Sequence, residues 1–153
     1  MTRDSLIIHW KLADISIDVG YELPNVLVKA HGYYLLVEDA VKLFPKIDAS
    51  EIIGFIAATT ITNIYYIIRK AAGVKVAQDA ISQILIDLHI CTVDKNILEI
   101  AVAWNFQDFE DAVQYACAMK SMVDVIVTRD VSGFLGSEIP VILPGELNHI
   151  SRE

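Results

Sequence analysis

Cysteine is scarce in this chain: Cys91 and Cys117 are its only two in 153 residues, and they stand too far apart for a Cys-x-x-Cys site. That excludes a disulfide-stapled scaffold and points to a reducing compartment, the cytoplasm, with both thiols in the core. The four histidines show no i, i+4 pair and have no partner cysteine, which argues against a zinc site. Long apolar runs are also missing. The longest, Ile52 to Ala58, contains Gly54 and falls far short of the ~20 residues that a membrane helix needs. Met1 to Trp10 starts like a leader, but Asp4 intrudes and the apolar run ends at His9, so secretion is not expected. Positive charge is in deficit, with 12 Lys and Arg against 20 Asp and Glu and a net charge of −8. Gripping a phosphate backbone by counterion release needs clustered cations, so tight general binding to nucleic acid is not expected. An acidic balance still suits a nuclease whose carboxylates hold divalent ions, or a domain paired with a basic partner.

What is present is an apolar fraction of 54% arranged in alternating strand-like and helix-like segments, enough for one domain over residues 1–153. Ile52 to Ala57 reads as a buried parallel strand. A helix follows, capped by Thr59 or Thr60 and closed at Arg69, Lys70 and Gly73. Val76, Ala80, Ile84 and Leu88 mark a second helix, and Ile90 to Val93 a strand. Asp94 caps a helix over Lys95 to Ala103. After the polar loop Asn105 to Asp108 comes a helix with Phe109, Val113, Ala116 and Cys117 as its apolar stripe. Val123 to Thr128 is so apolar that both faces must be covered, which predicts a central strand, and Ile139 to Leu143 reads as a last strand with Pro140 at an end or edge. Earlier in the chain, Ala13 to Asp18 is a candidate strand, and a helix is expected from about Tyr34 to Phe44, broken at Pro45. The alternation implies an α/β fold, a parallel sheet with helices on both faces.

In such a sheet, ligands collect at the carboxyl ends of the strands, so acids placed there are the candidates. Asp18 ends the first candidate strand, Asp130 follows Thr128, and Asp111 sits in the first turn of the helix after Asp108. If they converge, their mutual repulsion favours a shared divalent cation with oxygen preference, and such a site can hydrolyse a phosphodiester. Each acid also has a structural reading. Asp108, Glu110 and Asp111 suit a helix start, with Glu110 expected to face solvent; Asp130 suits a turn, and Asp14 competes with Asp18. Thr128 can support a metal ligand or simply close a turn. Tyr65 with Tyr66, and Tyr33 with Tyr34, are expected to divide between core and rim rather than stack on bases. Arg69, Lys70, Lys120 and Arg129 read as scattered surface cations rather than phosphate contacts. A receiver-like or flavodoxin-like domain shares the alternation, but the chain lacks a Gly-rich phosphate loop.

Phe106-Gln-Asp-Phe-Glu-Asp-Ala-Val-Gln-Tyr-Ala-Cys-Ala118 and Val125-Ile-Val-Thr-Arg-Asp130 resemble the PIN-domain family, in particular the VapC-type toxins of bacterial toxin–antitoxin pairs. Ile56 to Tyr66 and Ile139 to Leu147 extend the resemblance over about the last two-thirds of the chain. The resemblance implies a three-layer α/β/α fold with a mostly parallel five-strand sheet, and a cluster of acids binding Mg2+ or Mn2+. It also implies ribonuclease activity on single strands, and a homodimer restrained by an antitoxin. By position, Asp111 and Asp130 match family acids, Asp108 lies where some members carry an additional one, and Asp18 is the counterpart of the acid ending the first strand. Three departures stand out. Asn63 replaces the usual Glu, keeping an oxygen but losing the charge. Asp18 is followed by Val19-Gly20, and Gly133-Phe134 replaces Asp-Phe. The resemblance therefore implies a site of Asp18, Asp111 and Asp130, supported by Asn63, Thr128 and Asp108. Asn63 also leaves open a catalytically silent module that keeps only the dimer or antitoxin surface.

Overall fold

A computed structural model describes residues 4–9, 43–128, 130–143 and 145–146. Five strands, β1 (Asp4–His9), β2 (Ile52–Ala57), β3 (His89–Cys91), β4 (Val125–Thr128) and β5 (Val141–Ile142), form one sheet in the order β3-β2-β1-β4-β5. Every pairing is parallel. The helices are α1 (Leu43–Asp48), α2 (Ala58–Ala72), α3 (Val74–Asp87), α4 (Lys95–Ala103) and α5 (Phe109–Lys120), with a 3-10 turn at Val131–Phe134.

The middle strand is β1, not the apolar β4, which is interior between β1 and β5. Nothing in the local sequence of Asp4 to His9 announces this, because the pairing partners of β1 lie far along the chain. Its register is fixed by Asp124, which accepts from both the N–H and the hydroxyl of Ser5 (2.7 and 2.8 Å) and returns its own N–H to the Ser5 carbonyl (2.9 Å). The expected strand at Ala13 to Asp18 lies outside the described residues, as does the stretch 34–42 of the expected early helix. Pro45 does not break a helix: α1 runs through it, and proline is tolerated this close to a helix start.

Alternate residues of β4 face opposite layers. Val125 and Val127 join Ile56, Ile64, Ile68 and Ile84 under α2 and α3, while Ile126 joins Ile7, Ile97, Ala112 and Tyr115 under α4 and α5. Helices thus cover both faces of the sheet, as the α/β alternation requires. Gly54 marks a close approach, since a Cβ there would fall 2.5 Å from Cδ2 of Leu88 and 2.9 Å from Cδ1 of Ile47. Helix α2 springs directly from β2 with no side-chain cap, so Thr59 and Thr60 lie inside the helix rather than before it. Gly73 ends α2 in a positive-φ conformation, its N–H bonded to the Arg69 carbonyl. Asp94 caps α4 by accepting from Ile97 N–H at 2.9 Å. Helix α5 has no narrow stripe: residues 111–118 are all buried, whereas Phe109 is exposed. Of the tyrosine pair on α2, Tyr65 packs against the core and Tyr66 is 61% exposed. No helix among the described residues is long and apolar enough to cross a membrane.

Both cysteines are buried and free. Burial pushes the Cys117 thiol from its ordinary 9.0 up to about 12, helped by the neighbouring charges of Cys91 and Asp94. Burial also raises Cys91, against a lowering contact with the Ser121 hydroxyl. Folding therefore favours the protonated thiols. Their contribution is complete below the unfolded value near 9.0 and is lost as pH rises through the folded value toward about 12. Urea melts between pH 8 and 11 are expected to lose stability with rising pH less steeply in Cys117→Ala than in the native chain.

Candidate active site

The strand order reverses direction at β1 and β4: the chain builds outward from β1 to β2 and β3 on one side, then returns to add β4 and β5 on the other. Such a switch point is where ligands collect in an open α/β sheet, beyond the carboxyl ends of the two strands. The ends are level, His9 being the register partner of Thr128.

Asp130 sits two residues past β4. The buried Thr128 turns the chain there, its Oγ1 accepting from Asp130 N–H at 3.1 Å. Asp130 caps the following 3-10 turn: its Oδ1 accepts from the Ser132 hydroxyl (2.6 Å) and from Gly133 N–H (3.2 Å). This fixes the carboxylate plane. Asp108 does the same work for α5, its Oδ1 accepting from the N–H groups of Glu110 (2.8 Å) and Asp111 (3.2 Å). The cap holds Asp111 in the first turn, where the positive end of the helix dipole favours a carboxylate. Asp111 is only 1% exposed.

Gly133 measures how close these two acids come. A Cβ on it would lie 2.5 Å from Asp111 Oδ2 and 3.3 Å from Asp130 Oδ2, so the oxygens are separated by no more than the sum of those distances. Two ionised carboxylates ~5 Å apart repel by roughly 3 kcal/mol at an effective dielectric of about 20. That exceeds a typical net hydrogen bond of about 1 kcal/mol, so keeping both acids ionised calls for compensating charge close by. Gly133 packs against both hard oxygen donors, and its lack of a side chain is what lets the two acids come this close. Magnesium accepts one or two carboxylates and completes its shell with water and phosphate oxygens, so this donor set fits it. Among the described residues, no three of His, Cys, Asp and Glu gather into a metal-holding group. Asp18 lies outside the described residues.

The remaining expected participants are placed differently. Asn63 does not share a cleft with Asp111 and Asp130; its Nδ2 donates to Glu110 Oε1 at 3.1 Å, so Glu110 faces α2 rather than solvent. One turn further, Gln114 Nε2 donates to Thr60 Oγ1 at 2.6 Å, both residues being fully buried. These two rungs lock α5 against α2 and hold the helix start that carries Asp111. No pattern in the sequence links positions 63 and 110. Gly133, which at first sight is the loss of an acid, provides the room in which two others meet.

Both acids open onto a cleft of about 550 Å³, lined among the described residues by 103–108, Asp111, Asp130, Ser132, Gly133, Leu135 and Gly136. Its second component is aromatic and was hidden in a loop that reads simply as polar. Trp104 and Phe106 line the cleft with their rings 6.0 Å apart and 18° from parallel. The alternation Trp-Asn-Phe-Gln was the available signal. None of the described lysines or arginines lines the cleft.

None of the curated proteins matches the chain. The sequence does match the family described as PIN domain over residues 25–132, a span that includes Asn63, Asp108, Asp111, Thr128 and Asp130 and begins after Asp18. That span is well over half of the chain, and the protein therefore belongs to the PIN domain family, whose α/β fold is generally that of a nuclease.

Proposed function

We propose that the protein is an Mg2+- or Mn2+-dependent endoribonuclease of the VapC toxin kind, with Asp111 and Asp130 as metal ligands and Asp18 as the third acid. The observation that carries this reading is the meeting of the Asp111 and Asp130 carboxylates across Gly133 at the end of β4. PIN domains are generally dependent on divalent metals and commonly bind RNA, which supports the choice of substrate. Asp111 and Asp130 would hold a divalent ion there, which would lower the pKa of a water and offset charge on the leaving oxygen.

The residues divide the remaining work. Asp111, buried at a helix start, presents its carboxylate with little freedom to swing away. Asp130 spends Oδ1 on Ser132 and Gly133, which aims Oδ2 toward Asp111. Asp108 and Thr128 position these two acids through backbone N–H groups, and Asn63 positions α5 through Glu110. A homodimer and an antitoxin are the partners this reading expects, in the cytoplasm.

Calorimetric titration of Mn2+ into the metal-free full-length chain tests the assignment. Saturable binding is expected, weakened at least tenfold by Asp130→Asn, because a neutral amide cannot replace a hard anionic donor. Binding that ignores this substitution removes Asp130 from the site. No binding at all leaves a catalytically silent fold.

A further inference from the structure

The aromatic wall of the cleft has no part in metal chemistry, yet it is built with some rigidity. Behind Trp104 and Phe106 lies Tyr115, with ring centroids at 4.3 and 5.4 Å. Tyr115 is 1% exposed and its hydroxyl accepts from Glu138 N–H at 2.9 Å, so this backing ring is pinned at both ends. Phe106 also meets the buried Phe134 edge-on at 6.3 Å. Trp104 and Phe106 are themselves half-buried, packed against the core on one side, and both line the cleft. Between and beyond them the exposed Asn105 and Gln107 add two amides to the same lining.

Charge gives such a wall a use. A polyanion approaching a chain of net charge −8 meets Asp108, Asp111 and Asp130 in the cleft and none of the described cations. Beside these acids, contacts indifferent to phosphate charge add affinity without repulsion, and stacking of bases on aromatic rings is such a contact.

We propose that Trp104 and Phe106 form a nucleobase-binding subsite beside the carboxylates. There one unpaired base of an RNA strand stacks on the rings, and Asn105 and Gln107 hydrogen-bond its edge. The inference rests on the ribonuclease reading and adds to it the residues that select the base next to the cut. The cleft is of a size for one nucleotide rather than a duplex. Only an unstacked base presents its face to a ring, so the subsite selects single strands. Amides offer both donors and acceptors, the groups needed to tell one base edge from another.

Tryptophan fluorescence reports on this contact directly. Trp10→Phe leaves Trp104 as the sole tryptophan of the chain, and adding Asp111→Asn prevents cutting. Hexamers of A, C, G or U, and a hexamer with all bases removed, are titrated with Mn2+ present while fluorescence and anisotropy are followed. We expect saturable quenching by at least one homohexamer, and binding at least tenfold weaker for the abasic one. Phe106→Leu should weaken the preferred hexamer about tenfold. Gln107→Ala, at an exposed position that leaves the fold intact, should narrow the preference among bases. An abasic hexamer that binds equally well, binding that leaves Trp104 fluorescence unchanged, or no binding by any hexamer overturns the subsite. No metal-stimulated RNA cleavage by the Trp10→Phe chain with Asp111 intact overturns the ribonuclease reading instead, whatever the fluorescence shows.

Discussion

Asp111→Asn is expected to lower metal-stimulated RNA cleavage by on the order of a thousandfold while leaving the protein folded. The metal's stabilisation of transition-state charge is several kcal/mol, and about 4 kcal/mol corresponds to that factor. An amide keeps the shape of the side chain but not its charge, so it cannot hold a hard cation against water. Folding should survive because the Asp108 cap reaches residue 111 through its backbone N–H, which the substitution leaves in place. The Gln114–Thr60 and Asn63–Glu110 contacts that lock α5 to α2 are likewise untouched. Single-turnover cleavage with Mn2+, run beside a urea melt, separates the two effects. A variant that cuts as fast as the native chain removes Asp111 from the metal site. One that no longer melts cooperatively shows the residue to be structural.

The contrast between local and distant causes explains which parts of this architecture can be read from sequence. Helix α4 was legible because cap and stripe both lie within its own residues: Asp94, then Ile97 and Ala101 facing the core. Strand β4 was legible from four consecutive buried positions. Strand β1 was not, since its place in the middle of the sheet depends on Ser5 meeting Asp124, a contact spanning 119 residues. Seen alone, Asp4 to His9 resembles a leader spoiled by an acid. At the site, the rule that acids collect at strand ends was enough to select Asp111 and Asp130 for attention. The helix-start reading of Asp108 is also correct, because the residue is the N-cap. Glu110 was misjudged because its partner Asn63 is 47 residues away, and a first-turn Glu faces solvent unless another helix approaches. The aromatic wall was missed because burial of Tyr115 beneath residues 104 and 106 is a tertiary event with no periodic trace.

Gly133→Ala probes the geometry of the two carboxylates without altering any charge. Gly133 is not among the positive-φ residues, so alanine meets no backbone strain there and the whole effect is steric. Its Cβ would stand 2.5 Å from Asp111 Oδ2 and 3.2 Å from the Cγ behind it, closer than carbon and oxygen tolerate. Asp111 has no room to yield by moving its helix, since residues 111–118 are buried all round. The carboxylate must therefore rotate, and it carries its oxygen away from Asp130. Misplacement of a catalytic group by ~1 Å costs about a hundredfold in rate. We expect a loss of that size in cleavage and a comparable loss in Mn2+ affinity, with about 1–3 kcal/mol of destabilisation from overpacking. Gly73→Ala supplies the reverse signature. Gly73 has φ +90° and ψ 173° with nothing within 4 Å of an added Cβ, so alanine should cost about 1–3 kcal/mol of stability through backbone strain and leave cleavage by the folded protein intact. If the two variants lose activity only in proportion to lost stability, the space at Gly133 is an accident of packing. A loss at position 133 far beyond its destabilisation would show that the glycine is required to keep two carboxylates facing one another.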